Sequence, residues 1–133
     1  MENPKPFGLT KPERIHSRTA VETLFSDKKN SIAVYPLRAV WAIRTKTPAE
    51  PLPHVRILIS VPKKRFRHAV DRNRLKRQIR EAYRLNKHIL LGRLSDTNQY
   101  IDLAFISIAD KPADSHHVHK SVLKSLMRIA ESL

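Results

Sequence analysis

The chain has 133 residues, a length that suits one domain, and its 26 Lys and Arg against 12 Asp and Glu leave a net charge of +14. A balance this basic points to a polyanionic partner, most simply nucleic acid. The absence of Cys excludes disulfides, a thiol nucleophile and thiolate metal sites, and the two glycines, Gly8 and Gly92, are too far apart for a phosphate-cradling loop.

Residues 1–12 carry Pro4, Pro6 and Pro12 and read as an extended arm; residues 13–133 read as a single domain. The amino terminus has no apolar signal region, and no apolar run approaches the roughly 18 residues of a membrane span. An intracellular, cytoplasmic protein without a membrane partner is therefore expected. From Glu13, apolar residues at Ile15, Val21, Leu24 and Phe25 predict a short helix with one buried stripe. The polar stretch DKKNS at 27–31 breaks it. Residues 37–43 (LRAVWAI) and 55–61 (VRILISV) read as strands. The second alternates Val55, Ile57, Ile59 and Val61 against Arg56, Leu58 and Ser60. Three prolines lie between them, so they are expected to be neighbouring antiparallel strands joined by a long loop.

A basic, mostly helical segment follows Pro62 and runs over 63–87. Residues 100–108 (YIDLAFISI) form a third strand. Beyond Pro112, Ser115 is a candidate cap for a last helix that buries Val118, Val122, Leu123, Leu126, Ile129 and Leu133. The order helix, strand, strand, helix, strand, helix predicts an α+β fold, a single α/β sandwich with one sheet packed by helices.

The segment 63–87 holds 11 basic residues against Asp71 and Glu81, so nine of the fourteen surplus charges sit in it. At 100° per residue, Leu75, Ile79, Ala82, Tyr83 and Ile89 share the core face. Asn73, Lys76, Arg77, Arg80, Arg84 and Lys87 share roughly the opposite third. Like charges four residues apart repel by a few tenths of a kcal/mol each, so such a face suits an anion. Arg outnumbers Lys seven to four in the segment, and the planar guanidinium grips phosphate bidentately. A merely solubilising face would mix signs. Asp71, in the first turn, favours the helix dipole.

The stretch KKRFRHAVDRNRLKRQIREAYR resembles the signature of the bacterial ribonuclease P protein family. Arg72-Asn73-Arg74, Lys76-Arg77 and Arg80 match its R-N-R-x-K-R-x-x-R core, and VPKK at 61–64 with Ala69-Val70 fits the approach to it. The resemblance implies a protein subunit that binds a catalytic RNA and helps it remove the 5′ leader of precursor tRNA. It implies a mostly antiparallel sheet with a left-handed βαβ crossover, against the general right-handed preference. It marks Lys63, Lys64, Arg65, Arg67, Arg72, Asn73, Arg74, Lys76, Arg77, Arg80 and Arg84 as RNA contacts. It also implies a leader-binding cleft at Val21, Phe25 and Trp41, where Phe25 and Trp41 either stack on unpaired bases or are plain core residues. The chain departs from the family at Val21, usually aromatic, and in the Gly-free approach Arg65-Phe66-Arg67-His68.

No protein catalytic residue is assigned, because the carboxylates are scattered. The resemblance places catalysis on the RNA, with Mg²⁺ bound mainly by RNA phosphates. His116, His117 and His119 read as a polar helix start, or as a weak metal site. Two other readings fit the composition: a ribosomal or assembly-factor protein, and a DNA binder. The second is disfavoured by a strand where a helix-turn-helix needs its first helix, so no DNA partner is expected.

Overall fold

The computed structural model describes residues 30–45, 54–95, 97 and 99–133. The predicted arm at 1–12, the helix expected from Glu13, and with them Val21 and Phe25, lie outside the described residues. The elements are β1 (Ser31–Val34), β2 (Leu37–Thr45), β3 (Val55–Ser60), α1 (Ala69–Asn86), α2 (His88–Leu94), β4 (Gln99–Ser107) and α3 (Ser115–Glu131).

The strands form a four-stranded sheet in the order β1-β2-β4-β3. β1 and β2 make a hairpin through Tyr35 and Pro36, and β1 is a strand the sequence reading does not predict. β2 pairs antiparallel with β4, and β3 pairs parallel with β4. The expected pairing of β2 with β3 is therefore wrong: β4 lies between them. The physical reason is length. A parallel pair needs a long crossover, and α1 with α2 supplies one between β3 and β4. β4, flanked on both edges, is buried from Tyr100 to Phe105.

Alternation along each strand splits the sheet into two faces. Leu37, Ala39, Trp41, Val55, Ile57, Ile101, Leu103 and Phe105 point to the helices and meet Leu75, Ile79, Tyr83, Val118, Val122, Leu126 and Ile129. The other face carries a smaller apolar group around Val40 and Ala104, with Ala42, Leu58 and Ile106. The predicted core stripe of α1 is buried at Leu75, Ile79, Ala82 and Tyr83, while Ile89 is half-buried in α2. Leu123 in α3 and Leu133 just beyond it are only half-buried, and Ser121 and Ser125 take buried positions in α3 instead. Their hydroxyls are satisfied by backbone carbonyls, Ser121 on Val34 and Ser125 on Ser121 at 2.8 Å.

The cap of α3 is Asp114, not Ser115. Asp114 is extended (φ −71°, ψ 160°) and its carboxylate accepts the His117 N–H at 2.9 Å, whereas Ser115 is already helical. Hydrogen bonding holds the Asp114 carboxyl below its ordinary pKa, chiefly through that backbone N–H.

Candidate nucleic-acid interface

The approach to α1 is built around one buried ring. After Ser60 the chain turns on the Pro62 carbonyl, which accepts from the N–H groups of Arg65 at 3.2 Å and Phe66 at 3.3 Å. Phe66 enters the core, 4% exposed. The next residues must bend away from that anchor before the helix begins. Arg72, one turn into α1, reaches back and donates from Nη1 to the carbonyls of Phe66 at 2.8 Å and Arg67 at 3.0 Å. No side chain caps the helix at His68, so this guanidinium is what ties the approach to the first turn.

The eleven predicted contacts thus fall into two groups. Three carry intramolecular duties. Arg72 holds the approach. Arg65 donates to the Ile108 carbonyl and to Asp110, both at 2.9 Å. Arg84 pairs with Glu81 through Nε at 3.1 Å and through Nη2. That pairing lowers the Glu81 pKa and raises that of Arg84. Of the others, Lys63, Lys64, Arg67, Asn73, Arg74 and Arg77 are exposed, and Lys76 and Arg80 are half-buried. Among the described residues, no acidic group pairs with Lys63, Lys64, Arg67, Arg74, Lys76, Arg77 or Arg80.

Two expectations require correction. Lys87, grouped with the cationic face, is buried, 6% exposed. The helical rotation that placed it outside stops at Asn86, and the chain turns there into α2, with Leu90 and Leu91 donating to the Lys87 carbonyl at 3.1 Å. Trp41 is 8% exposed and belongs to the main core, on the sheet face covered by the helices. Of the two roles open to it, the ring has the core one. Its indole Nε1–H is buried with no acceptor among the described residues.

α1 packs on α3, and this places side chains together that are some forty residues apart in sequence. An open groove of about 830 Å³ runs between them, with Arg74, Arg77 and Arg84 on one wall and His116 and His119 on the other. The sequence reading treated those histidines separately from the basic helix. No local pattern joins them to it, because the connection is made only by helix packing. Among the described residues no group of three or more His, Cys, Asp or Glu side chains is arranged to hold a metal ion. No helix among them is long and apolar enough to cross a membrane.

The chain is similar to known proteins over most of its length. A family model described as Ribonuclease P matches residues 9–130. The ribonuclease P protein component of Porphyromonas gingivalis ATCC 33277 is 44% identical over 130 residues, covering 98% of this chain and 92% of that protein. That of Chlorobaculum tepidum is 41% identical over 88 residues, 66% of this chain and 56% of its own length. Among solved structures, the Staphylococcus aureus RNase P protein superposes with a TM-score of 0.64 at 26% identity, covering 90% of this chain and 95% of that one. The Thermotoga maritima protein matches in fold with the same TM-score of 0.64, over 87% of this chain and 96% of its own.

Proposed function

Because this chain belongs to the ribonuclease P family, as the protein component of that endoribonuclease and a partner of its RNA subunit, we propose that it holds the RNA through the unpaired cations of α1 and its approach, and that it also engages the 5′ leader of precursor tRNA. The observation that carries the reading is the division among the basic residues. Arg65, Arg72 and Arg84 already have partners within the chain, whereas Lys63, Lys64, Arg67, Arg74, Lys76, Arg77 and Arg80 have no acidic partner among the described residues. Dense like charge left uncompensated costs folding stability and is relieved by phosphate. Binding through it releases counterions, so affinity falls steeply with salt.

In this reading the phosphodiester is cut by the RNA, with Mg²⁺ on RNA phosphates. Three of the described carboxylates are already engaged within the chain: Asp102 is buried against Arg56, Glu81 is held by Arg84, and Asp110 by Arg65. The protein's contribution is charge screening and positioning, in the cytoplasm. The leader contact is drawn from the family, with Val21 and Phe25 as its residues and without Trp41, whose ring is occupied in the core. The test is reconstitution with the cognate catalytic RNA at low Mg²⁺, comparing precursor and mature tRNA. Stimulated leader cleavage and tighter binding of the precursor are expected; no stimulation ends the proposal.

A further inference from the structure

We infer that the groove between α1 and the first turn of α3 seats a strand of RNA backbone, with Arg74 and Arg77 gripping phosphates from one wall and His116 and His119 donating from the other. The inference rests on the RNA-binding reading above and extends it to a second helix.

Three features of the groove support a phosphate ligand. First, its acidic neighbours are neutralised. Glu81 is the one carboxylate in the lining, and it is engaged by Arg84. Asp114 lies at the start of α3 outside the lining and is occupied by His117, through the backbone N–H at 2.9 Å and ring Nδ1 at 3.1 Å. Arg74 and Arg77 have no such partner among the described residues.

Second, the orientation of His119 is set by a hydrogen bond. Asn86 Nδ2 donates to the Ala82 carbonyl at 2.8 Å and lies 3.2 Å from His119 Nε2. An amide nitrogen only donates, so Nε2 accepts and the ring proton of the neutral imidazole is on Nδ1. The ring in the groove wall is thereby held as a donor, the polarity that a phosphate oxygen needs. His116, exposed beside it, adds a second imidazole.

Third, the groove has the length for a polymer. Arg74 to Arg84 spans about 15 Å of helix at 1.5 Å per residue. An open trough of that length suits a continuous strand better than a lone anion, and Arg80 adds a further cation to its lining.

The absence of Cys makes the test clean. A single His116→Cys variant carrying an iron chelate, reconstituted with the catalytic RNA of ribonuclease P, should cut that RNA locally by hydroxyl radicals. Met127→Cys, exposed farther along α3, serves as the distant control. In parallel, the affinity of His116→Ala and of the His116→Ala, His119→Ala pair should fall, the pair by about tenfold, with unchanged thermal midpoints; two lost hydrogen bonds of ordinary strength account for that factor. If the probe at 116 cuts no more than the one at 127, or if the histidine variants bind as tightly as the wild type, the groove is not an RNA seat. Arg77→Ala separates the two failures. Loss of affinity there with silent histidines overturns only the groove, whereas wild-type affinity in Arg77→Ala overturns the RNA-binding reading of α1 itself.

Discussion

Arg56 and Asp102 face each other across the parallel pair of β3 and β4 and are joined by two parallel hydrogen bonds, Nε to Oδ1 at 2.8 Å and Nη2 to Oδ2 at 3.0 Å. The carboxylate is 3% exposed and the guanidinium also lies over the Tyr100 ring, 5.9 Å from its centroid. The pair locks the register of the two strands whose connection carries the basic helix. Removing one partner leaves a buried charge without its counterion. Asp102→Ala should cost about 3 kcal/mol in chemical denaturation, while a joint Arg56→Met, Asp102→Leu replacement should recover most of it. Equal losses in the two variants would show that the pair is not what holds the register.

Arg72 and Arg77 belong to the same motif but should fail differently. Arg72→Ala frees the carbonyls of Phe66 and Arg67 and should destabilise the fold by about 1–3 kcal/mol. Arg77→Ala, exposed and unpaired, should change stability by less than about 0.5 kcal/mol yet weaken RNA binding and flatten its salt slope by nearly one unit. Thermal melts beside salt titrations read both quantities.

Beneath the cationic face, Leu75→Ala or Ile79→Ala should cost about 2–5 kcal/mol, since both side chains are buried against the sheet. Urea unfolding with an unchanged midpoint would refute the assignment of that face.

Ser107 ends β4 with a buried hydroxyl that has no partner among the described residues. Ser107→Ala removes a desolvated polar atom without opening much space. It should raise stability by up to about 1 kcal/mol, measured by calorimetry.

At Asp114 the prediction concerns pH. Its carboxyl titrates lower in the folded chain than in the unfolded one, so its contribution is complete above the unfolded pKa and disappears as pH falls through the folded pKa. Asp114→Asn can still cap α3. The variant should therefore approach the wild type in thermal midpoint at low pH and lack the acid-dependent part of the wild-type curve.

The buried stripe of α1 was legible because helical rotation is local: the spacing of Leu75, Ile79, Ala82 and Tyr83 specifies a face without knowing what covers it. The same holds for the alternation in β3, for the apolar run of β4 and for the motif around Arg72, Asn73 and Arg74, whose resemblance carried the family. What those spacings leave open is everything that depends on partners distant in the chain. The strand order is one example, since β2 and β3 look equally able to pair directly until the crossover length brings β4 between them. Lys87 and Trp41 are others, one turned inward by a bend at the helix end and one by the side of the sheet that α1 and α3 cover. The sum of the charge could be counted from the residues alone. Which cations are free to meet phosphate, and which are tied to a carbonyl or carboxylate, was decided only by folding, because hydrogen bonds between residues such as Arg65 and Asp110 exist only once distant segments are packed together.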